Sequence, residues 1–521
     1  MVALRCIDQA NVSQELLPDV TVPGFRELGT YFFIAPLDGV DLYIDEAPAE
    51  AVQVGGQSGW RWTPGFYAGV VVAELLSHSG QRLAEYRLDV GPEGSKLGEG
   101  VFHTLLEELR AFDPALLLGT EAAQASIGVS GEVTSPLLAY ARLRRNGDAL
   151  QAALRAVMGH PLTRLQCDRA LVPAHHVRRL DVASAVRLLR HPATVAYLND
   201  DAGELNEKTP LIEVTQSTDT VDNPANRALD AVMLSVRLRC QHVADALAVL
   251  ARVDEKAGTR TPLQPRLARK LAYLDGLSKA LARLLKGAPF ALTTRAEVTA
   301  AGLNAISAHP AYARAYRFAW SSLRGGVAGD LADEQTWLSP TWEIYERWCF
   351  AQVVQCLRKQ RPDLSWTTHY PTTRNDCIRV VGAGDGVQME AWLQRRFRAG
   401  DSTPTGFRSI SAELHPDIVI TVDDRGVRRM FVLDAKYRTS RINVLDAMRS
   451  AHLYQDALRW DEARPVCSLL LVPRGGGAPW LEAPEFHAAH QVGVLPLAPD
   501  TRLGLSVALD RWLSTSTFGA F

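Results

Sequence analysis

The sequence predicts a multidomain α+β protein, with a β-rich N-terminal domain over residues 1–120, a mainly α-helical region over 121–330 and a C-terminal α/β domain over 337–521. Three observations predict this. The chain has 521 residues, too many for one ordinary hydrophobic core. Short β-prone runs broken by Gly, Pro and Asp-Gly fill residues 28–90, whereas long runs of helical period fill the middle. Beyond "RGGVAGDLADEQT" (324–336), a Gly-, Ala- and acid-rich stretch that reads as a boundary, the order becomes helix, strands, helix, strand.

In chain order, "TYFFIAPLDGVDLYID", "GWRWTPGFYAGVVVAELLSHSG" and "RLAEYRLDVGPEG" read as strands and "GVFHTLLEELRAF" as an amphipathic helix. From about 134 to 192 the pattern is helical, with Arg-rich faces such as "HVRRLDVASAVRLLRHP". Residues 193–224 are polar and irregular, with one strand candidate at "TPLIEVTQ". Long helices return at "NRALDAVMLSVRLRCQHVADALAVLARV" and "RLARKLAYLDGLSKALARLLKG". In the last region "SPTWEIYERWCFAQVVQCLRK" opens with Ser339 as N-cap and Pro340 as first helical residue. Strands are expected around 376–398, 416–423 and 428–436, then a helix at "NVLDAMRSAHLYQDALRW" and a buried strand at "VCSLLLVP".

Composition narrows the function classes. Hydrophobic content of 47% with no apolar run near the ~20 residues of a membrane span excludes a spanning helix. "MVALRCIDQANVSQ" lacks the basic-then-apolar order of a secretory signal. Seven cysteines without a CxxC pair read as reduced thiols in a cytoplasmic protein and argue against zinc. The net charge of −2 gives no global polyanion-binding signature, yet Arg395 to Arg449 carries eleven Lys or Arg against seven Asp or Glu.

The chemistry concentrates in "ELHPDIVITVDDRGVRRMFVLDAKYRTSR" (413–441), two apolar runs joined by the turn "DDRGVRR". Strand side chains alternate, so Asp434 and Lys436 share a face roughly 7 Å apart. If Asp417 opens the neighbouring strand, its carboxylate meets that of Asp434 at the hairpin's open end. Paired carboxylates repel unless a cation lies between them. Such an oxygen-lined site suits Mg²⁺ or Mn²⁺, with the lysine orienting a metal-bound water and stabilising phosphate charge. That is the chemistry of phosphodiester hydrolysis. Only 8 of the 56 basic residues are lysines, which singles out Lys436.

Two helices flank the hairpin. The stripe Trp342, Tyr345, Cys349, Phe350, Val353, Cys356, Leu357 takes in Glu346 at about 100° per residue, leaving Glu343 just past its edge. In the later helix, Gln455 lies within the stripe of Val444, Met448, Ala451 and Leu458, and His452 at its border.

Pro-Asp at "HPD" (415–417) followed by "DAK" (434–436) resembles the PD-(D/E)XK nuclease superfamily. With "YERWCF", "HLYQDAL" and "VGVLPLAPD", the block from 338 to about 500 is similar to the McrC-related branch, which includes proteins with a long N-terminal region. "TVDNPANRALDAV" (220–232) resembles an element of such regions, where an Asn-Arg pair opens a long helix. The resemblance implies a restriction-endonuclease-like fold and a metal-dependent DNA endonuclease in restriction or phage defence. It implies metal ligation by Asp417, Asp434, Glu346 and the Ala435 carbonyl, water positioning by Lys436, and a pocket-facing role for Gln455. Arg395, Arg396, Arg398, Arg438 and Arg441 are the candidate phosphate contacts. Relatives work beside an AAA+ NTPase, and this sequence contains no GxxxxGK[ST], so the NTPase would be a separate chain. A homodimer would serve double-strand cutting. The alternatives are a non-catalytic subunit docking on an NTPase, an RNase using the same metal site, and a helical scaffold in which the motif is coincidental.

Overall fold

The computed structural model describes residues 2–92, 99–119, 124–126, 135–173, 176–190, 192, 195, 211–257, 263–323, 335–370, 377–400, 406–437, 439–475 and 477–514. They fall into two compact units, one of Met1–Leu137, Leu250–Arg269 and Gly326–Phe521, the other of Leu138–Val249 and Lys270–Gly325. The mixed fold is the one the sequence predicts, β-rich at the N-terminus, helical in the middle, with a sheet near the C-terminus.

The first unit begins with strands from Leu4 onward, earlier than the β-rich pattern at residue 28. One antiparallel sheet runs Ser13–Leu16, Leu4–Asp8, Tyr31–Ile34, Gln57–Trp62, Glu50–Val54 in space, and a second is built on the long hairpin of Gly69–Ser77 with Arg82–Gly91. Alternate residues of Arg82–Gly91 are buried, and Leu4, Phe33, Val71, Leu75, Tyr86 and Leu88 share one core. Helix α1 (Glu99–Phe112) follows.

In the second unit, α2 (Pro136–Gly159) precedes a two-stranded ribbon of Arg164–Pro173 with Leu211–Thr220. The first ribbon strand corrects the all-helical expectation for 134–192. Its side chains are exposed at most positions, so no alternation marks it, and a partner far along the chain sets its conformation. The helix Val182–Arg190 packs Leu188 against Val172, Ile212 and Val214 of this ribbon. The helix Pro224–Ala257 begins within the Asn-Arg segment, where the side-chain oxygen of Asn223 accepts from the Asn226 N–H at 3.0 Å. The Asn226 amide in turn donates to Leu162 O and Val221 O, and its oxygen accepts from Tyr312. Tyr312 belongs to α3 (Pro310–Leu323).

The C-terminal part of the first unit opens with the strand Gln335–Trp337, which pairs with Gln124–Ser126. Helix α4 (Thr341–Gln360) follows, with Pro340 at the N-cap and no side-chain cap bond. Ser339 is therefore not the cap. Its hydroxyl donates to Leu118 O at 3.0 Å and accepts from Arg347 at 2.7 Å. Seven strands then lie in numerical order in one sheet: β1 (Ser365–His369), β2 (Arg379–Gly384), β3 (Val387–Leu393), β4 (Ile418–Asp424), β5 (Val427–Ala435), β6 (Pro465–Val472) and β7 (Val492–Pro496). The stretch expected as strand over 376–398 breaks at Asp385-Gly386, both at positive φ, into β2 and β3. β1 to β5 are antiparallel, whereas β5, β6 and β7 are parallel. Parallel pairing needs a crossover, and α5 (Arg441–Ala457) lies between β5 and β6. Val444, Met448 and Ala451 of α5 pack on Leu470 and Val472 of β6. The boundary stretch expected at 324–336 lies largely outside the described residues.

Candidate active site

The β4–β5 hairpin turns more tightly than expected. Only Arg425 and Gly426, at φ 51° and 90°, form the loop, so the strands run through "DD" and "VRR". Pairing runs from Asp424 with Val427 to Ile418 with Leu433. One step further, position 417 faces position 434 across the ladder. The loop length thus sets the two aspartates opposite each other at the open end.

The side chains meet there. The Lys436 ammonium lies 2.7 Å from Asp434 Oδ2 and 3.6 Å from Asp417 Oδ2. Asp417 Oδ2 also accepts from the Ala435 N–H at 2.8 Å, and Asp434 Oδ2 from the Ser450 hydroxyl of α5 at 2.8 Å. Glu346, 3% exposed on α4, joins the same electrostatic cluster. Burial, then the fields of Glu346 and Asp434, raise the Asp417 carboxyl well above its usual range, although Lys436 opposes this. Burial and then Glu343 push Glu346 up to about 7, against a hydrogen bond from Gln394 and the charges of Arg347 and Lys436. Lys436 is itself partly desolvated, yet Asp417 and Asp434 outweigh that and raise its pKa.

Gln394 and Ser450 are site residues that the sequence reading missed. Gln394 follows the apolar run of β3 in a left-handed conformation (φ 57°), and its N–H donates to Asp417 O at 2.6 Å. One residue so ties the Glu346 helix to the Asp417 strand. The sequence signal is a polar residue closing the run "AWLQ". Ser450 gave no signal beyond being polar on α5.

Gln455 does not join the acids. Its amide donates to Pro465 O at 2.7 Å and to Gln491 Oε1 at 3.0 Å, at the start of β6 and five residues from Leu470, which pairs with Asp434. Its place on the α5 stripe brings it to the sheet, one turn beyond the site. His452 is exposed. Among the basic candidates, Arg395 stacks over Trp392 and Phe407 at 4.2 and 4.5 Å, and Arg396 pairs with Glu413 at 2.6 Å, so both are committed to the protein. Arg398 and Arg441 are exposed, and Arg438 lies outside the described residues.

Two buried carboxylate oxygens, Asp434 Oδ1 and Glu346 Oε1, have no hydrogen-bond partner. Hard oxygen donors left unsatisfied beside like charges fit a divalent cation. In their present positions no three His, Cys, Asp or Glu side chains among the described residues converge on one point, and the Lys436 ammonium supplies the compensating charge.

A mixed sheet with two opposed strand-end aspartates, a lysine two residues on and a helix-borne glutamate is the constellation of a PD-(D/E)XK nuclease domain. The C-terminal region matches that class: the family model described as the PD-(D/E)XK nuclease superfamily covers residues 343–466. A second model, a domain of unknown function (DUF2357), covers residues 65–318. Among solved structures, the chain is similar to one from a half-complex of the tetradecameric assembly of Thermococcus gammatolerans McrB AAA+ hexamers with bound McrC. The identity is 14% over 89% of this chain and 85% of that one, with a TM-score of 0.25. No curated protein matches. No helix among the described residues is long and apolar enough to cross a membrane.

Proposed function

We propose that the chain is a metal-dependent DNA endonuclease that hydrolyses backbone phosphodiesters. The observation that carries this reading is the pair of partnerless buried oxygens on Asp434 and Glu346, within the cluster shared with Asp417 and Lys436. Asp417, Asp434 and Glu346, with the Ala435 carbonyl, would hold Mg²⁺ or Mn²⁺. When bound, the ion lowers the pKa of coordinated water and offsets charge on the phosphate.

The chain's own groups supply the rest. Ser450 fixes the rotamer of Asp434, and the Ala435 N–H fixes that of Asp417. Lys436, beside both aspartates, would donate to the attacking water and steady the phosphate. Arg398 and Arg441, the latter 5.4 Å over the Trp480 ring, are exposed and would meet flanking phosphates, a role that supplies affinity without base readout.

The McrC-like block over 338–500 supports a restriction or phage-defence setting with a separate AAA+ partner, and the missing GxxxxGK[ST] agrees with it. The test is cleavage of supercoiled plasmid with Mg²⁺ or Mn²⁺, beside Asp434→Ala and Lys436→Ala. Nicking that both substitutions abolish supports the reading. Cleavage that survives both refutes the site.

A further inference from the structure

In the helical unit, α3 carries an exposed surface that the nuclease site does not use. Trp320 is 59% exposed, and its ring stacks on Tyr316 with centroids 6.5 Å apart and planes 8° from parallel. At about 100° per residue, Tyr316, Trp320, Arg317, Arg314 and Phe318 follow one another round a single arc of the helix. Arg314 and Arg317 are exposed. Arg314 and Phe318 also line an open pocket of about 630 Å³, together with His309 and with Ala149, Ala152, Ala153 and Ala156 of α2. Arg155 stands on the exposed face of α2 beside Ala156.

Charge points the same way. The unit Leu138–Val249 with Lys270–Gly325 holds 22 Lys or Arg against 14 Asp or Glu, whereas the whole chain holds 56 against 58. The unit is thus net +8 in a chain of net −2, and no acid occurs between Glu297 and Asp330. An exposed pair of stacked aromatic rings beside arginines suits a flat anionic ligand, which the rings can stack on and the guanidinium groups can pair with. Bases of an unpaired strand offer π-faces, and their phosphates offer the charge. A duplex hides those faces in its stack.

We infer that the α3 face is a binding site for single-stranded nucleic acid, with a base stacked on Trp320 and Tyr316 and phosphates held by Arg314 and Arg317. The inference takes its ligand class from the nuclease reading above.

The test uses the full chain carrying Asp434→Ala, in EDTA, with labelled single-stranded DNA and RNA and a duplex, each spanning about 16 nucleotides. Binding is read by fluorescence anisotropy. The expected result is single-strand binding that Trp320→Ala weakens roughly 5- to 150-fold while Trp320→Phe retains most of it. Arg314→Ala with Arg317→Ala should lower the salt slope of log K by about 1.4, roughly 0.7 per phosphate. DNA and RNA arms separate the two strands that share this chemistry. Circular dichroism melts establish that each variant folds.

Binding confined to the duplex, no binding to any strand, or wild-type affinity and slope in both folded variants overturns the inference. Because the assay needs no cleavage, a dead Asp434 site leaves its outcome intact. Plasmid cutting by a chain that fails to bind single strands would overturn this site and spare the nuclease reading.

Discussion

Glu346→Gln should abolish a proton release that accompanies metal binding. The Glu346 carboxyl sits at about 7 instead of 4.5, from burial first and Glu343 second. A group at about 7 is roughly nine-tenths protonated at pH 6 and one-tenth at pH 8. A cation needs the carboxylate, so saturating Mn²⁺ should expel close to one proton from Glu346 at pH 6 and almost none at pH 8. Calorimetric titration in two buffers of different ionisation enthalpy counts those protons, and the variant should release fewer by that amount at pH 6. The same shift sets a stability trend. The folded chain holds this proton more tightly than the unfolded one, so the stabilisation is fully present below pH 4.5 and is lost as pH rises through about 7. The loss amounts to about 3 kcal/mol at the ordinary 1.36 kcal/mol per unit. Without metal, the wild type should therefore weaken from pH 5 to 8 relative to Glu346→Gln, and Mn²⁺ should reverse this for the wild type alone. Equal proton release in both proteins at pH 6, or parallel pH profiles of their denaturation midpoints, would refute the reasoning.

Further outcomes follow from other contacts. Ser450→Ala removes a hydrogen bond to Asp434 and should slow plasmid nicking roughly tenfold with little change in melting temperature. Gln394→Ala frees Glu346 from its amide partner and should weaken Mn²⁺ binding, measured by calorimetry, on the order of 10-fold. Gly493→Ala places a methyl group 2.8 Å from Leu481 O and against the His487 ring, so it should destabilise the sheet edge by about 2 kcal/mol, visible as a lower urea midpoint. An unchanged midpoint would mean that the turn preceding β7 relaxes freely.

The hairpin that carries Asp417, Asp434 and Lys436 was legible because its logic is local. Alternation put Asp434 and Lys436 on one face, and a two-residue loop leaves one register for Asp417. Glu346 was legible because a charged residue inside an apolar helical stripe needs a partner. Gln394 and Ser450 were hidden for the opposite reason. Gln394 is reached through a left-handed backbone turn that no period announces. Ser450 and Gln455 lie on the same helix but about 140° apart around it, and only the packed sheet decides which of them faces Asp434. The strand Arg164–Pro173 escaped because it buries too little for its pattern to show. Its pairing with Leu211–Thr220 depends on long-range contact that local propensity does not encode.

The seam at the start of α4 governs how the C-terminal region can be reused. Trp337 donates its indole N–H to Asp45, Thr341 its hydroxyl to Glu27, and Arg347 reaches the carbonyls of Leu116 and Leu118. Gln335–Trp337 is itself a strand of the N-terminal sheet. A protein engineer who grafts residues 335–514 onto a new targeting domain would therefore create a sticky strand edge, leave a threonine and an indole without their acceptors, and strip two carbonyls from an arginine that keeps Ser339 and Glu343. A workable cassette has to carry Glu27, Asp45, the turn at 116–118 and Gln124–Ser126 with it, and heredity faces the same constraint whenever such domains are shuffled.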